Sequence, residues 1–362
     1  MRSLWVKRID KLKIEARKLN VEAYLCLSPS NIHYFTGCSD AGKLSYGFLI
    51  PLGGGEPTIF TPEMGAVQLA SLLPKQIRIE TVKLGSNPAK EISREIGRFK
   101  SVAFDDFSYS GVRKIMGEAG EVRFEAHPEI PQKLRLVKDE AEIELIKKAI
   151  ILVRRGVEAA EEAIKPGVAE YEVAAEAEYA MRSKGLEFYA FETIVTSGPR
   201  SAYPHGFVSQ RKIRNGETVV VDIGAKVQGY CADITRTFVV GKPRREILTA
   251  YRAVLEAQEK VLTYVKPGIK GFEADMVARE HLDRLGFKGT FIHALGHGVG
   301  LEVHEPPRLA PQSEDILVEN SVFTVEPGIY VKGKFGVRIE DMVLLGKEKA
   351  KVLTAKVKKL EV

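Results

Sequence analysis

Two acidic residues interrupt a stretch of sequence that otherwise predicts a buried strand. In VVVDIGAKVQGYCADITRTF, residues 219–238, three valines lead directly into Asp222, and Asp233 follows eleven positions later. β-Branched residues favour a half-buried pleated surface, where an unpaired carboxylate costs free energy. A strand of this kind can tolerate two carboxylates only if something compensates their charge.

A β-hairpin would bring the two aspartates together. If its turn is centred between Val227 and Gln228, next to Gly229, then Asp222 and Asp233 are directly opposite each other. Directly opposed residues share a face of the sheet, with Cβ atoms about 4.5 to 5.5 Å apart, and like charges there destabilise the pair. A bulge in the hairpin would change this pairing.

A second acidic pair, Glu326 and Glu340, flanks the turn sequence VKGKFG and is opposed about Gly333 in the same way. If the two hairpins converge, either some carboxylates are protonated with raised pKa values or cations lie among them. Two divalent ions would balance four negative charges, and two ions about 3.5 to 4 Å apart commonly activate water and polarise a substrate oxygen. The pattern predicts a metal-dependent hydrolase; the alternative is that the acids occupy solvent-facing strand positions.

Histidines form a second group of candidates. Three of the seven, His293, His297 and His304, fall within the twelve residues HALGHGVGLEVH. His297 lies between two glycines, where the backbone can approach closely, and is predicted to bind metal. His293 and His304 could donate hydrogen bonds to a substrate, although a histidine on an apolar face is more often a core residue. His205, in a loop before the Asp222 hairpin, could face the same cleft. Structural roles are expected for His33, His127 and His281.

The 362 residues suit two domains, and a composition of 44% hydrophobic and 28% charged residues is typical of a chain that folds around large cores. Strands alternating with helices predict an N-terminal α/β domain, after an amphipathic first helix. We expect the boundary near residues 127–133, giving domains of 1–128 and 129–362, with Asp139 capping a long helix together with Glu142. The predicted strands of the first domain are VEAYLCLS, YGFLIPL, PTIFT, IRIETVKL, SVAFDD, which ends at Asp105 and Asp106, and EVRFEA, with helices near 63–74, 87–98 and 108–117.

The second half contains an internal repeat. IKPGVAEYEVAAEAEYAMRSKG, which ends at Gly185, and VKPGIKGFEADMVAREHLDRLG, which ends at Gly286, share a KPG break, an aromatic and glutamate pair, and a following helix. The KPG sequences are offset by 101 residues, and VVVDIG matches FTVEPG, which aligns Asp222 with Glu326. Two halves related by duplication are predicted, forming a curved sheet with helices outside.

Composition excludes several classes of function. The net charge of +6 is spread along helices that also carry glutamates, so no nucleic-acid partner is expected. No apolar run approaches the roughly 20 residues that span a bilayer, and the N-terminus lacks a secretory apolar core, so we expect a cytoplasmic protein without membrane contact. The three scattered cysteines predict neither a disulfide framework nor a cysteine metal site.

Five residues, in this order and spacing, resemble the ligand set of the pita-bread dinuclear metallopeptidases: Asp222, Asp233, His297, Glu326 and Glu340. That family includes methionine aminopeptidases, Xaa-Pro aminopeptidases and Xaa-Pro dipeptidases (prolidases). The motifs cover about residues 140–345, and the two-domain layout extends the resemblance across the chain. The fold that the resemblance implies is an N-terminal α/β domain followed by a duplicated α+β pita-bread catalytic domain of the creatinase and aminopeptidase type.

The resemblance implies a role for each ligand. Asp233 and Glu340 would bridge two divalent ions, which could be Mn, Co or Zn. Asp222 would bind one ion, and His297 with Glu326 would bind the other. Glu326 would also act as the general base toward a hydroxide that bridges the ions.

Residues around the ligands also match positions of the family. His205 and His304 correspond to catalytic histidines that face the substrate, and His293 to an auxiliary substrate-binding histidine. Tyr330 and Arg338 correspond to residues of the proline-specific members that orient the bridging ligands, contact the substrate and shuttle protons. The resemblance also implies a homodimer.

The N-terminal domain and one arginine favour a branch of the family. Methionine aminopeptidases generally lack such a domain, so the resemblance points to the proline-specific enzymes. In HEPPRLAP, Arg308 matches the basic group that holds the free carboxylate of proline in prolidases, which a guanidinium can bind through two parallel bonds. The alternative is a surface arginine in a proline-rich turn. As in the compact prokaryotic prolidases, we expect hydrolysis of Xaa-Pro dipeptides with release of free proline.

Two other functions stay open at this point. An Xaa-Pro aminopeptidase would remove one residue from longer peptides. A relative that kept the fold as a protein-binding module or a metal-free enzyme would have lost ligands, whereas all five ligand positions are intact in this sequence.

Overall fold

A computed structural model describes residues 2–105 and 109–355. The chain folds as two compact units, Met1–Arg135 and Leu136–Val362, each with its own hydrophobic core. Among the described residues, no helix is both long enough and apolar enough to cross a membrane.

The first unit is an α/β domain, as the alternating sequence pattern predicts. Its strands are β1 (Ala23–Cys26), β2 (Gly47–Pro51), β3 (Thr58–Pro62), β4 (Arg78–Val82), β5 (Ser101–Phe104) and β6 (Arg123–Ala126). Its helices are α1 (Arg2–Arg17), α2 (Pro29–Thr36), α3 (Ser39–Leu44), α4 (Glu63–Leu72), α5 (Pro88–Ile96), α6 (Tyr109–Glu118) and α7 (Glu129–Leu136). The sheet order is β4-β3-β2-β1-β5-β6, in which β2 is antiparallel to both of its neighbours and the other pairs are parallel.

Helices α2 and α3 are not predicted from the sequence. The start of α2 is supported by Asp105, which is more than 70 positions away in the sequence. The Asp105 carboxylate, just after β5, accepts hydrogen bonds from Leu27 N (2.6 Å) and Asn31 Nδ2 (2.8 Å). Burial raises the pKa of Asp105 to about 6 in spite of these hydrogen bonds. The sequence indicates only that Asp105 ends a strand; Asp106 lies outside the described residues.

The boundary between the two units falls later than the sequence analysis places it. The predicted first domain ends at residue 128, whereas the first unit runs to Arg135. Helix α7 joins that unit through long-range hydrogen bonds, from Tyr34 Oη to Leu134 O (3.0 Å) and from Arg135 Nη1 to Asn31 Oδ1 (2.9 Å). Pro131, inside the predicted boundary region, lies in the first turn of α7, where proline is tolerated.

As far as residue 355, where its described part ends, the second unit consists of two helix pairs and three sheets. Its helices are α8 (Glu140–Ala163), α9 (Glu170–Arg182), α10 (Arg245–Tyr264) and α11 (Gly271–Arg284). Its strands are β7 (Phe188–Tyr189), β8 (Ile194–Ser197), β9 (Thr218–Val227), β10 (Tyr230–Val239), β11 (Gly296–Gly298), β12 (Glu305–Leu309), β13 (Val322–Val325), β14 (Gly328–Val331), β15 (Phe335–Arg338), β16 (Asp341–Leu345) and β17 (Ala350–Val352). The sheets run β10-β9-β7 with β8 also on β9, β12-β11-β13-β16-β17, and β14-β15. The predicted cap of α8 is confirmed, because Asp139 Oδ1 accepts from Glu142 N (2.9 Å) and Glu142 Oε2 accepts from Asp139 N (3.0 Å).

The two helix pairs repeat the same backbone conformation, as the internal repeat predicts. The KPG glycines Gly167 and Gly268 have φ values of 89° and 95°. The glycines that follow the second helix of each pair, Gly185 and Gly286, have φ values of 95° and 89°. These left-handed values are open to glycine without strain, which explains why both copies keep it at these places.

The first predicted hairpin is present, but its turn lies one residue later than predicted. Gln228 and Gly229 form a two-residue turn with φ values of 46° and 79°, so that Val227 pairs with Tyr230. Positive φ at both central positions gives the turn a twist that matches the flanking strands. Positive φ is uncommon outside glycine, so the sequence does not indicate that Gln228 is a central turn residue.

This later turn makes the predicted direct pairing of the two aspartates wrong. Asp222 lies opposite Thr235, and Asp233 lies opposite Gly224, so the aspartates are diagonal neighbours. Moving the turn by one residue moves each partner by two positions, and side chains alternate along a strand, so the face is unchanged. Both carboxylates still share a face, with more space between them than directly opposed residues have.

The second predicted hairpin has the predicted register. β14 pairs with β15 about Gly333, and β13 pairs with β16 in the same register. Glu326 and Glu340 are therefore opposite each other at the junction between these two ladders. Their backbone N–H groups bond elsewhere, Glu326 N to Leu295 O (2.8 Å) and Glu340 N to Thr235 O (3.1 Å).

A buried glutamine fixes this junction. Gln258, on α10, is fully buried, and its Nε2 donates to Val325 O (3.0 Å) and to Ile339 O (3.1 Å). These carbonyls immediately precede Glu326 and Glu340 in the sequence. One amide group therefore holds the backbone from which both glutamates project.

Replacing Gln258 by methionine should destabilise the second unit, because methionine has a similar volume but leaves two buried carbonyls without their donor. We expect the free energy of unfolding to fall by about 2 to 4 kcal/mol, measured by urea denaturation. Lys260→Met, at an exposed position of the same helix, is the control and should change stability by less than about 0.5 kcal/mol. A loss below about 1 kcal/mol in Gln258→Met would contradict this role.

Candidate active site

A cavity of about 920 Å³ in the second unit brings the predicted site residues together. Its size is typical of a small-molecule site. Tyr330 is absent from its lining and lies behind it, bonded to His293 and Arg338. The other predicted residues all line the cavity: Asp222, Asp233, His297, Glu326, Glu340, His205, His293, His304, Arg308 and Arg338.

Three of the five predicted ligands are close enough to hold one ion. One ligand atom from each of Asp233, His297 and Glu340 lies within 4.8 Å of the other two. His297 Nε2 is 3.6 Å from Asp233 Oδ2 and 3.3 Å from Glu326 Oε1. One ring nitrogen therefore faces acids from both hairpins.

Several carboxylate oxygens in the cavity are buried without a hydrogen-bond partner among the described residues. They are Asp222 Oδ1, Asp233 Oδ1 and Glu340 Oε1. A buried oxygen that loses its water without gaining a partner costs free energy, and a metal ion supplies such a partner. The residues present therefore fit divalent cations, and a carboxylate-rich set with one histidine suits Mn, Co or Zn.

Burial and mutual repulsion act on three of these acids. Burial raises the pKa of Asp222, Asp233 and Glu340. The charge of Asp222 raises the pKa of Asp233 further, and the charge of Asp233 does the same for Glu340. Ionised carboxylates in this arrangement need more positive charge than the surrounding side chains supply.

Glu326 and His297 shift in the opposite sense. Burial favours the neutral form of each group, but their mutual hydrogen bond and charge outweigh burial. The pKa of Glu326 falls to about 2, and the pKa of His297 rises to about 9. Glu326 is therefore ionised at neutral pH.

Glycines on both sides of His297 allow neighbouring backbone segments to lie close to it, as predicted from the sequence. An added Cβ would collide with Thr324 O at Gly296 and with Pro306 O at Gly298. His297 Nδ1 donates to Gly298 O (3.1 Å), so Nε2 is the ring atom directed at the acids.

Arg338 joins the predicted ligands to their surroundings. Its buried guanidinium donates to Asp222 Oδ2 (2.6 Å), Tyr330 Oη (2.8 Å) and Thr235 Oγ1 (3.0 Å). The Thr235 hydroxyl in turn donates to Glu340 Oε2 (2.7 Å). These contacts place Arg338 and Tyr330 beside the ligands, where the family resemblance expects them.

Two threonines of the site are not predicted from the sequence. Besides Thr235, Thr324 donates to Glu326 Oε1 (3.2 Å) and accepts from His297 N (3.1 Å). Thr235 lies two residues after Asp233, and Thr324 lies two residues before Glu326. Because side chains two apart on a strand share a face, this spacing was the signal that could have identified them.

His293 is held by a chain of hydrogen bonds. Its Nδ1 donates to Ala294 O (2.7 Å), so in the neutral ring Nε2 accepts from Tyr330 Oη (2.8 Å). The Tyr330 hydroxyl also accepts from Arg338. His293 lines the cavity and at the same time orients Tyr330.

The remaining predicted residues are His304, Arg308 and His205. The His304 ring lies 4.2 Å from the His297 ring, centroid to centroid, at an angle of 75°. Arg308 lies directly opposite His297 in the β11–β12 ladder, so the two side chains leave the same face. His205 follows Pro204, whose carbonyl accepts a hydrogen bond from Arg338 Nη1 (3.2 Å).

Comparison with known families matches both units. The profile described as Metallopeptidase family M24 matches residues 144–347. The profile described as Creatinase/Prolidase N-terminal domain matches residues 8–137. The predicted family resemblance and the predicted fold class are thereby confirmed.

Individual relatives match over nearly the full length. The chain is 38% identical over 349 residues to the Xaa-Pro dipeptidase of Pyrococcus furiosus, covering 96% of this chain and 97% of that protein. The crystal structure of the prolidase from Pyrococcus horikoshii has a TM-score of 0.90 and 37% identity, and covers 98% of this chain and 100% of that one. The X-Pro aminopeptidase structure from Thermotoga maritima has a TM-score of 0.83 and 37% identity, with 94% and 97% covered.

Thr235→Val should weaken binding of Mn²⁺ by about 10- to 100-fold, because valine has the shape of threonine but cannot hold Glu340 or accept from Arg338. Calorimetric titration of protein freed of metal by chelation measures this affinity. The matched control is Thr196→Val, since Thr196 is buried on β8 and its hydroxyl has no hydrogen-bond partner among the described residues. Equal Mn²⁺ affinity in the two variants would contradict the role of Thr235.

Proposed function

The chain belongs to metallopeptidase family M24, and we propose that it hydrolyses Xaa-Pro dipeptides and releases free proline. Full-length likeness to proteins named Xaa-Pro dipeptidase and prolidase supports this substrate. The observation that carries the proposal is the position of Arg308, directly opposite His297 and on the wall of the same cavity. A homodimer, which the family resemblance implies, and a cytoplasmic location, which the sequence predicts, are parts of the same proposal.

The metal site is the first part of the proposed mechanism. Five residues would hold two divalent ions, Mn, Co or Zn: Asp222, Asp233, His297, Glu326 and Glu340. When bound, the ions would lower the pKa of a water molecule and polarise the scissile carbonyl. The buried oxygens without partners on Asp222, Asp233 and Glu340 support this assignment.

Proton transfer falls to Glu326. Its Oε1 is held by Thr324 and faces His297, which leaves the second oxygen to take a proton from the attacking water. The same carboxyl can return that proton to the leaving nitrogen of proline. Loss of the proton restores the ionised carboxylate for the next cycle. Arg338 and Tyr330 keep the neighbouring ligands in place during these transfers.

Substrate binding falls to residues on the other walls of the cavity. Burial lowers the pKa of His304, so at neutral pH its ring is neutral and can donate one N–H to the substrate. His205 offers a further polar contact, and His293, whose ring nitrogens bond to Ala294 O and Tyr330 Oη, would contact the substrate with its ring. A guanidinium can bind both oxygens of a carboxylate, so Arg308 would hold the free carboxylate of the proline residue. Apolar surface for the substrate comes from Phe191, Ile194, Pro204 and Phe207.

An Xaa-Pro aminopeptidase is the second candidate. The Thermotoga maritima structure named X-Pro aminopeptidase is as similar in sequence, at 37%, as the Pyrococcus horikoshii prolidase. The two activities differ in the state of the proline carboxyl group, which is a free carboxylate in the dipeptide and part of a peptide bond in longer chains. Arg308 favours the dipeptide, because its charge is matched only by the free carboxylate.

The enzyme should turn over Leu-Pro with a kcat/KM at least about tenfold above that for the tripeptide Leu-Pro-Leu, a difference of about 1.4 kcal/mol in transition-state stabilisation. The assay measures released proline and released leucine with Mn²⁺-loaded protein. Removing the metal by chelation should abolish both activities, and adding Mn²⁺ should restore them. Preference for the tripeptide would overturn the dipeptidase proposal, and activity that survives chelation would overturn the metal mechanism.

Arg308→Ala should raise KM for Leu-Pro by about tenfold with a smaller change in kcat, because the lost interaction is with the carboxylate rather than the reacting carbonyl. KM for Leu-Pro-Leu should change little. Arg308→Lys keeps the charge but loses the planar pair of donors, so its KM for Leu-Pro should lie between the values of the wild-type protein and Arg308→Ala. An unchanged KM for Leu-Pro in Arg308→Ala would remove Arg308 from the site.

A further inference from the structure

A buried acid outside the cavity fastens the segment that carries His205. Glu170 lies in the first turn of α9 and is fully buried. It is not among the residues that line the cavity, and none of the steps above uses it. The segment in question, residues 198–208, is called the His205 loop below; it begins with a 3-10 turn at Gly198–Ala202.

The two oxygens of Glu170 bind both ends of the His205 loop. Oε1 accepts from Ser197 N (2.8 Å) and Ser197 Oγ (2.9 Å), immediately before the loop. Oε2 accepts from Ser209 Oγ (2.6 Å), immediately after it, and lies 3.5 Å from Arg200 Nε within it. The Glu170 carboxyl group therefore contacts both ends of the loop, and Arg211 supports the same two serines, through Nη1 to Ser197 Oγ (2.6 Å) and N to Ser209 Oγ (3.1 Å).

From this base the loop reaches the catalytic groups. Arg200 Nη2 donates to Phe207 O (2.5 Å), which ties the two arms of the loop together. The tip of the loop meets the site at Pro204, whose carbonyl accepts from Arg338. His205 and Phe207 line the cavity on either side of Gly206. The position of His205 therefore depends on contacts at both ends of the loop.

In both halves of the repeat, the start of this helix holds the segment that lies opposite it. The residue that matches Glu170 in the second copy is Gly271, where an added Cβ would collide with Arg308 O. In the second copy the backbone holds the opposing segment, through Gly271 N to Asp315 O (2.8 Å) and Phe272 N to Ser313 O (3.0 Å). The first copy makes the same two backbone contacts, Glu170 N to Arg211 O (3.1 Å) and Tyr171 N to Ser209 O (3.2 Å), and adds the Glu170 carboxylate, which also holds Ser197 at the start of the His205 loop.

We propose that Glu170 is a positioning residue for catalysis: it fixes the His205 loop so that His205 faces the substrate, without touching the substrate itself. The proposal rests on the proposed function in one respect, since His205 is there assigned to substrate binding. Its distinguishing consequence is that Glu170 acts mainly through His205, so a change at Glu170 has a smaller effect on turnover once the His205 side chain is gone.

The test compares Glu170→Gln, His205→Ala and the double variant. Glutamine can still accept from Ser197 through one oxygen, but its NH2 group replaces the oxygen that binds Ser209 and Arg200. Glu170→Gln should lower kcat/KM for Leu-Pro by about tenfold, as expected when a substrate-facing group shifts, while the bound Mn²⁺ content stays unchanged. In the His205→Ala background, Glu170→Gln should lower kcat/KM by clearly less than it does in the wild-type protein.

A measurement independent of turnover accompanies the kinetics. Hydrogen–deuterium exchange, followed by mass spectrometry, should be faster in residues 198–208 of Glu170→Gln and unchanged in the hairpin of β9 and β10. Ser209→Ala, which removes one partner of the carboxylate without changing charge, should show the same pattern if Glu170→Gln does not fold. Glu172→Gln is the matched control: Glu172 is exposed in the same helical turn and bonds to Ala169 N, so neither exchange of the loop nor kcat/KM should change.

The outcomes separate this proposal from the proposed function. Unchanged exchange in residues 198–208 of both Glu170→Gln and Ser209→Ala would overturn the anchoring role. An equal loss of kcat/KM on adding Glu170→Gln to the wild-type and His205→Ala proteins would overturn the action through His205. If His205→Ala leaves kcat/KM unchanged, the substrate role of His205 and the catalytic part of the proposal are both wrong, while faster exchange still supports the anchor.

Discussion

Burial of several carboxylates in one cavity is the constraint on which the rest of the catalytic unit depends. Asp222, Asp233 and Glu340 are exposed by only 9%, 4% and 1%, and each keeps one buried oxygen without a hydrogen-bond partner among the described residues. Arg338 compensates Asp222, and His297 interacts with Asp233 and Glu326, which leaves negative charge unbalanced. Divalent cations supply that balance, so metal binding and stability of the unit are linked.

The same constraint explains why neutral hydrogen-bonding groups surround the site. A further cation near the acids would compete with metal ions, whereas hydroxyl and amide groups orient a carboxylate without neutralising it. Thr235 and Thr324 act on the glutamate side chains, and Gln258 acts on the carbonyls before them. Both glutamates are thus fixed at the backbone and at one oxygen, although neither belongs to a regular ladder.

The features that could be predicted from the sequence are those that depend on neighbouring residues, such as turns and the alternation of side chains along strands. The turn at Gly333 has a glycine where the backbone needs one, and its register is as predicted, whereas the turn at Gln228 adopts positive φ without glycine and was misplaced. The error left both aspartates on one face, because strand periodicity depends on odd and even positions rather than on the partner. Asp105, Gln258 and Glu170 could not be assigned in this way, because their partners lie 27 or more positions away in the sequence.

Exchange of partners between the duplicated halves makes the site a property of the whole unit. Asp222 of the first half has one oxygen held by Arg338 of the second, and Glu340 of the second half has one oxygen held by Thr235 of the first. In each case the other oxygen has no hydrogen-bond partner among the described residues. A carboxylate with one oxygen fixed and the other free is oriented before an ion arrives, which lowers the cost of ordering it on binding. Neither half contains both members of such a pair, so an oriented ligand set forms only when the two halves pack together.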